Sequence, residues 1–205
     1  VIVLVLALGV REPERRLGAG RANPISKANL VRLPPAYWWV VGVGAVVTLA
    51  RFSEAFLVLR AQQTGVAIAW VPLVMVAMNA VYALSAYPFG KLADRVSRHA
   101  LLAIGLAVLV VASTALLVGV LLWGLHMGMT QGLLAAMVAQ HAPADLRGTA
   151  FGFFNLVSGL AMLLASVLAG LLWQVLGPAW TFGAGAGFCV LALVGLLARP
   201  RALRA

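Results

Sequence analysis

Arg51 and Glu54 are the two charged residues inside an otherwise uncharged stretch that runs from residue 36 to residue 59. Their spacing of three residues places them on adjacent positions of one helix face. Ionisable side chains at membrane depth are costly, and they usually face a cavity or a partner. The two residues are therefore either a substrate or proton site, or a mutual ion pair near the outer interface with Arg60 snorkelling toward water.

Four polar side chains lie deep inside the apolar stretches that follow: Asn79, His126, Gln131 and Asn155. His126 and Gln131 share a broad face of one predicted helix. Together the four residues could line a central cavity. The alternative for each is a helix–helix hydrogen bond, which stabilises membrane bundles by about 0.6 kcal/mol on average.

A dense run of charge separates two long apolar blocks. Residues Gly90 to Arg98 read GKLADRVSR, with three cations around the single acid Asp94. Such a run predicts a short, solvated loop between two membrane helices. Asp94 could accept a hydrogen bond from Arg147, or sit at the amino end of the helix that begins near Thr149, where backbone donors favour an anion. The alternative is that these cations only hold the loops at the inner face.

The composition of the chain is that of a membrane protein. Of its 205 residues 63% are hydrophobic and 10% are charged, and the mean hydropathy is +1.04, whereas soluble domains are about 25% charged. The apolar blocks are continuous rather than alternating, which indicates helices and not a barrel. The net charge of +10 lies between these blocks and forms no basic face, so we expect no nucleic-acid partner.

The sequence contains no constellation that supports catalysis. It has no H-E-x-x-H and no G-x-S-x-G motif, and Cys189 is the single cysteine. The three histidines, His99, His126 and His141, are not spaced as a metal set. We therefore predict that the protein is not an enzyme and that it uses no cofactor and no metal.

Four regions follow from the distribution of apolar residues. Residues 1–10 would rise only about 15 Å as a helix, half of a bilayer core, so we interpret them as the tail of a truncated transmembrane helix. Residues 11–35 form a basic cytoplasmic linker whose glycines and prolines discourage regular structure. Residues 36–198 form a six-helix transmembrane domain, and residues 199–205 form a cytoplasmic tail.

The six spans need one argument about length. Residues 100–140 are 41 residues with almost no polar break, and one helix of that length would be about 60 Å long, twice the bilayer. Two helices that turn near Gly119, within residues 117–121, fit better. The predicted spans are about 36–60, 66–89, 100–117, 121–140, 149–174 and 179–198.

Basic and aromatic residues give the orientation of the spans. Thirteen of the fifteen lysines and arginines fall in the linker, in two loops and in the tail, all on one side. This asymmetry places that side in the cytosol. The tryptophans are predicted to anchor the interfaces, with Trp38 and Trp39 at an inner edge and Trp70, Trp123, Trp173 and Trp180 at outer edges.

Two loops resemble the major facilitator superfamily (MFS) of transporters. The run Gly90 to Arg98 is similar to the family's loop signature G-x-L-A-D-R-x-G-R, except that Ser97 stands where the family has glycine. Residues 143–152, PADLRGTAFG, are similar to the family's loop before the fifth helix of the second half. The resemblance covers residues 1–204 as a linker plus the second half.

The resemblance implies an all-α membrane protein, the C-terminal six-helix half of an MFS-type bundle. Its expected partners are the lipid bilayer, a missing N-terminal half and a small-molecule solute, moved by alternating access and coupled to an ion. Gating is expected from Gly90, Asp94, Arg95, Arg98 and Arg147, and the expected location is a prokaryotic cytoplasmic (inner) membrane. A non-transporting membrane scaffold or regulatory domain is the alternative function.

The predicted topology can be tested by labelling. We expect cysteines introduced at positions 94 and 145 to react with a membrane-impermeant thiol reagent from the same, cytoplasmic, side of the membrane. The measurement compares intact cells with inverted vesicles. Labelling of the two positions from opposite sides would contradict the six-span topology.

Overall fold

The described part of the protein consists of α-helices and short connections. The computed structural model describes residues 26–111 and 116–198, and it contains no β-strand within these ranges. The predicted helix tail 1–10, most of the predicted linker and the predicted tail 199–205 lie outside the described residues. The helices are α1 (Lys27–Val31), α2 (Pro35–Ala50), α3 (Ala55–Gln63), α4 (Val71–Ala93), α5 (Arg98–Val111), α6 (Leu116–His141), α7 (Arg147–Val175) and α8 (Pro178–Leu197).

Within residues 26–111 and 116–198, five helical segments are long and apolar enough to cross a membrane, and they confirm the prediction of an all-α membrane protein. They are Pro35–Gln63, Ile68–Ala93, Val118–His141, Ala144–Val175 and Pro178–Leu197. A shorter apolar segment, Arg98–Val110, lies between the second and the third. The six segments follow one another in the order of the predicted spans.

Helix α6 lies between two groups of helices. On one side it packs against α4 and α5, and on the other it contacts α2 and α7. Helix α8 completes the bundle because it packs against α2, α5 and α7. The bundle core is mostly aliphatic, and Tyr37 and His126 are its fully buried polar exceptions of large volume.

Glycines of α6 allow its close approach to α4. A Cβ atom at Gly124 would lie 3.2 Å from the carbonyl carbon of Met78 and from Cβ of Val81. One turn later, a Cβ atom at Gly128 would overlap with the side chain of Ser85. Small residues are the usual means by which membrane helices gain van der Waals contact, since lipid provides no hydrophobic driving force between them.

The turn predicted near Gly119 is wrong. Helix α6 runs without interruption from Leu116 to His141 and includes Gly119. Helix α5 packs against α6, and Gly105 of α5 lies against Met129 and Thr130 of α6. A glycine within a helix costs only about 1 kcal/mol relative to alanine, so packing against α5 and α4 easily overrides the turn signal of Gly119.

The charged loop is shorter than predicted. Helix α4 continues through Gly90 to Ala93 and is capped by Asp94, so only residues 94–97 lie between helices. Ser97 accepts a hydrogen bond from the backbone N–H of Ala100 at 3.1 Å. A serine at the amino end of a helix satisfies one of the free backbone donors. Ser97 therefore serves as a helix cap in the place where the family signature has glycine.

Part of the predicted irregular linker is a short helix that docks on the bundle. Ser26 accepts a hydrogen bond from the backbone N–H of Asn29 at 3.3 Å and so caps α1. Leu33 is buried, and Arg32 Nη2 forms an ion pair with Asp145 Oδ2 at 2.7 Å. Capping and docking outweigh the glycines and prolines, which lie at other positions of the linker.

We expect Gly124→Ala to lower the apparent free energy of unfolding by about 1–3 kcal/mol, because the new methyl group would meet backbone atoms of α4 that cannot rotate away. Gly132→Ala on the same helix is the matched control, since a Cβ atom there has no neighbour within 4 Å. The control should be neutral or stabilising by up to about 1 kcal/mol. Unfolding in mixed micelles titrated with sodium dodecyl sulfate measures both, and equal effects would contradict this packing.

Candidate functional site

The first membrane segment is not one continuous helix. Helix α2 ends at Ala50, helix α3 begins at Ala55, and Arg51 has the non-helical backbone angles φ −106° and ψ 66°. The predicted span 36–60 is thus interrupted, and Arg51 and Glu54 do not lie on one regular helix face. The four residues of the break read RFSE and contain neither glycine nor proline, so local sequence gave little sign of the interruption.

Phe52 anchors this break in an aromatic cluster. Its buried ring lies 5.4 Å from that of Phe56, 5.7 Å from that of Trp123 and 5.6 Å from that of Phe182, measured between centroids. Gly185 of α8 makes room for it, because a Cβ atom there would lie 2.8 Å from Cε1 of Phe52. Aromatic pairs at these distances stabilise a core beyond their buried area. The interruption is therefore held by tertiary packing.

The break leaves backbone hydrogen-bonding groups without helical partners. Arg51 donates its backbone N–H to Thr48 O at 3.0 Å. The backbone N–H groups of Phe52, Ser53 and Glu54 have no backbone acceptor in the part of the chain that is described. Irregular backbone at membrane depth occurs only where it is buried in protein or lines a water-filled cavity. The break must therefore face one of these environments.

A cavity of about 240 Å³ lies at the break, between the first segment, α6 and α7. It is lined by Arg51, Phe52, Ser53, Glu54, Trp123 and Met162. Arg51 and Glu54 thus share a cavity, as the first sequence hypothesis requires. They do not form the direct ion pair of the second hypothesis, since Arg32–Asp145 is the one pair within 4.0 Å between described residues.

His126 lines neither the cavity at the break nor a second cavity that lies between α4 and α6. It is fully buried, and its Nδ1 lies 2.7 Å from the carbonyl oxygen of Gly105. Because a carbonyl oxygen only accepts, Nδ1 carries the proton that it donates. Thr130 in turn donates its hydroxyl to the carbonyl oxygen of His126 at 2.8 Å. His126 therefore forms the helix–helix hydrogen bond of the alternative interpretation, between α5 and α6.

The two candidate asparagines lie on faces that this chain does not cover. Asn79 is exposed on α4 and donates Nδ2 to the carbonyl oxygen of Met75 at 2.8 Å, within its own helix. Asn155 is exposed on α7. Neither residue lines the cavity at the break.

A second cavity, of about 340 Å³, lies between α4 and α6 at the predicted cytoplasmic end. Gly90, Asp94, Arg98 and Gln131 are among its lining residues. Arg98 donates from Nη1 to Oε1 of Gln140 at 2.8 Å, which connects the start of α5 to the end of α6. The structure thus brings Gln131 together with the charged loop and not with Arg51 and Glu54.

The predicted contact between Asp94 and Arg147 is absent from the described structure. Asp94 lies at the carboxyl end of α4, whereas Arg147 begins α7. It is Asp145 that accepts from an arginine, Arg32. Charges in loops do not specify their partners by sequence, because several cations are equally available to each acid. Arg95 is exposed and lines neither cavity.

Comparison with known proteins settles the family. The family model described as Major Facilitator Superfamily matches residues 40–205. This chain belongs to the Major Facilitator Superfamily. It is 32% identical over 187 residues to an uncharacterized MFS-type transporter of Methanocaldococcus jannaschii. The match covers 83% of this chain and 46% of that relative, so the chain spans about half the length of the curated relative. No solved structure matches it.

Sequence reasoning missed four residues of the cavity in this MFS chain: Ser53 and the apolar Phe52, Trp123 and Met162. Trp123 was predicted to be an interface anchor, but only 4% of its surface is exposed, because it packs against Phe52. Apolar residues carry no local signal that separates a cavity wall from a lipid contact. In residues 26–111 and 116–198, no three His, Cys, Asp or Glu side chains are grouped as a metal site.

We expect Phe52→Ala to lower the apparent free energy of unfolding by about 3 kcal/mol, because the ring contacts that hold the break are lost and a cavity remains. Phe153→Ala is the matched control, since Phe153 is half-buried and packs on Trp38, away from the break. Mixed-micelle unfolding measures both changes. A smaller effect for Phe52→Ala than for Phe153→Ala would show that the aromatic cluster does not hold the break.

Proposed function

We propose that this chain is the C-terminal six-helix half of a secondary active transporter that moves a small solute by alternating access, coupled to an ion. The observation that carries the proposal is the interrupted membrane helix whose Arg51 and Glu54 line one cavity without pairing with each other. Discontinuous helices with charged groups at the break are a recurring way to build transport sites. Membership of a transporter family supports the same function.

Exposed polar groups on the bundle support a second half as the partner. Asn79 on α4, Gln131 on α6 and Asn155 on α7 are all exposed in this chain. Polar side chains at membrane depth are rarely left against lipid and usually face a bundle interior or a water-filled cavity. A second six-helix unit against α4, α6 and α7 would cover these residues. The share of the relative that this chain covers, 46%, supports the same arrangement.

The positions of the two cavities support alternating access. The break follows the 16 residues of α2, which rise about 24 Å from the predicted cytoplasmic side, so the cavity at Arg51 lies in the outer half of the membrane. The cavity at Asp94 and Arg98 lies at the predicted cytoplasmic end. We propose that these cavities belong to the outward and the inward pathway for one solute.

Asp94, Arg95, Arg98 and Arg147 are proposed to act at the cytoplasmic gate together with Gly90. In this conformation Asp94 is exposed and has no ion-pair partner among described residues. A carboxylate in that state is available for a charge-assisted hydrogen bond to the other half or to Arg147 in a second conformation. We further propose a prokaryotic cytoplasmic membrane as the location, which the archaeal relative supports.

One observation favours the alternative of a non-transporting scaffold or regulatory domain. His126 is fully buried and joins α5 to α6 by a hydrogen bond, and a scaffold would use its polar residues for such helix contacts. The arrangement of Arg51 and Glu54 favours transport. Labelling of the two cavities separates these functions.

We expect the labelling rates of Ser53→Cys and Gly132→Cys with an impermeant thiol reagent to change in opposite directions, a behaviour that we call opposite phase. Each variant is made in a Cys189→Ala background of the full-length protein. Ser53 lines the outer cavity and Gly132 the inner one. Conditions that raise the labelling rate at one position should lower it at the other, since one pathway closes as the other opens. Rates at the two positions that never change in opposite directions would contradict alternating access.

We expect Asp94→Asn to shift this labelling ratio and to reduce transport while leaving membrane insertion intact, because it removes a gate charge without altering hydropathy. Asp145→Asn is the control, since it breaks an ion pair whose side chains are 60% and 58% exposed. Such a pair contributes at most about 1 kcal/mol to stability. An unchanged labelling ratio in Asp94→Asn would remove the gate role of Asp94.

A further inference from the structure

Two buried hydrogen-bond donors of the outer cavity residues have no acceptor. Nε of Arg51 and Nε1 of Trp123 are both buried, and neither has a hydrogen-bond partner. Trp123 is 4% exposed, and both residues line the cavity at the break. Buried donors are nearly always satisfied in folded proteins, so an unsatisfied pair in one place indicates a missing acceptor.

The backbone around these donors favours an anion as that acceptor. The N–H groups of residues 52–54 have no backbone acceptor among the described residues. They immediately precede helix α3, whose amino end carries a partial positive charge. The guanidinium of Arg51 adds a full positive charge and a planar set of donors that matches a carboxylate. An anionic group on a solute in this cavity would pair with the guanidinium of Arg51.

Glu54 places a carboxylate in the same cavity, and this group requires a cation or a proton. Its side chain is half-buried, lines the cavity, and forms no ion pair with a described residue. A carboxylate withdrawn from water is unfavourable unless it gains a cation or a proton. The cavity therefore holds one positive and one negative group, more than 4.0 Å apart, and neither forms an ion pair with a described residue.

We propose that this cavity binds a small zwitterionic solute, with its carboxylate on Arg51 and its ammonium group on Glu54. The inference rests on the proposed transport function and names its substrate class. A zwitterion neutralises both cavity charges at once, whereas a simple anion or cation leaves one of them unpaired. The apolar side chains of Phe52, Trp123 and Met162 in the lining accept the alkyl part of the solute, and the volume of about 240 Å³ has room for a small molecule.

A binding series with three probes of nearly equal size tests the proposal. L-Alanine carries both charges, propionate carries the carboxylate alone, and isopropylamine carries the ammonium group alone. We expect L-alanine to bind the full-length protein in lipid nanodiscs about tenfold or more tightly than either single-charge probe, as measured by isothermal titration calorimetry. Sites built around paired polar groups reject analogues that lack one of them.

Variants assign the two charges to their residues. Arg51→Gln and Glu54→Gln should each weaken L-alanine binding about tenfold or more, because each leaves one end of the zwitterion without its partner. Arg60→Gln is the matched control: Arg60 is an exposed cation on α3 that does not line the cavity, so L-alanine binding should not change. L-Alanine should also slow thiol labelling of Ser53→Cys, since the solute occupies the same cavity.

The outcomes separate this inference from the proposed function. Propionate that binds as tightly as L-alanine, together with uptake of one proton, would overturn the zwitterion in favour of an anion with a protonated Glu54. Failure of all three probes to bind, with labelling at positions 53 and 132 still in opposite phase, would overturn the substrate class and leave the transporter. Loss of the opposite phase itself would overturn both.

Discussion

A polypeptide in hydrocarbon has to hydrogen-bond its own backbone, and the rest of this structure depends on where that requirement is relaxed. Helices satisfy it along the described membrane segments, and the first segment is interrupted at residues 51–54. Phe52 is held in an aromatic cluster at this interruption, and residues 51–54 line a cavity, which is the kind of environment in which irregular backbone is tolerated at membrane depth. The same break presents Arg51 and Glu54 side by side in that cavity. The geometry of the site is thus a consequence of one backbone irregularity.

Close helix packing around α6 supplies the rigid frame for that site. Gly124 and Gly128 admit the backbone and side chains of α4, and Gly105 of α5 admits Thr130. The hydrogen bond from His126 to Gly105 fixes α5 against α6 within this frame. Because these contacts need no charge, the ionisable groups of the membrane region stay free to line cavities. His126 and Thr130 therefore serve helix contacts, whereas Arg51 and Glu54 line the cavity at the break.

Polar residues at the ends of the helices connect neighbouring segments. Ser97 caps α5, Arg98 connects α5 to the end of α6, and Arg32 connects α1 to Asp145 before α7. These are exposed interactions that contribute little free energy each. They set where segments dock at one end of the bundle, and such weak contacts are easily exchanged between conformations. This property is compatible with the cytoplasmic gate that we propose for this end of the bundle.

The sequence by itself determined the class of fold and the family, and it singled out Arg51 and Glu54, which line one cavity in the structure. These follow from composition and local motifs, since hydropathy acts residue by residue along the chain. Only the tertiary structure decided that the first segment is interrupted, that α6 runs through Gly119, that His126 joins two helices and that Asp145 pairs with Arg32. Each of these depends on which distant residue lies within a few ångströms, and a sequence pattern does not encode that distance.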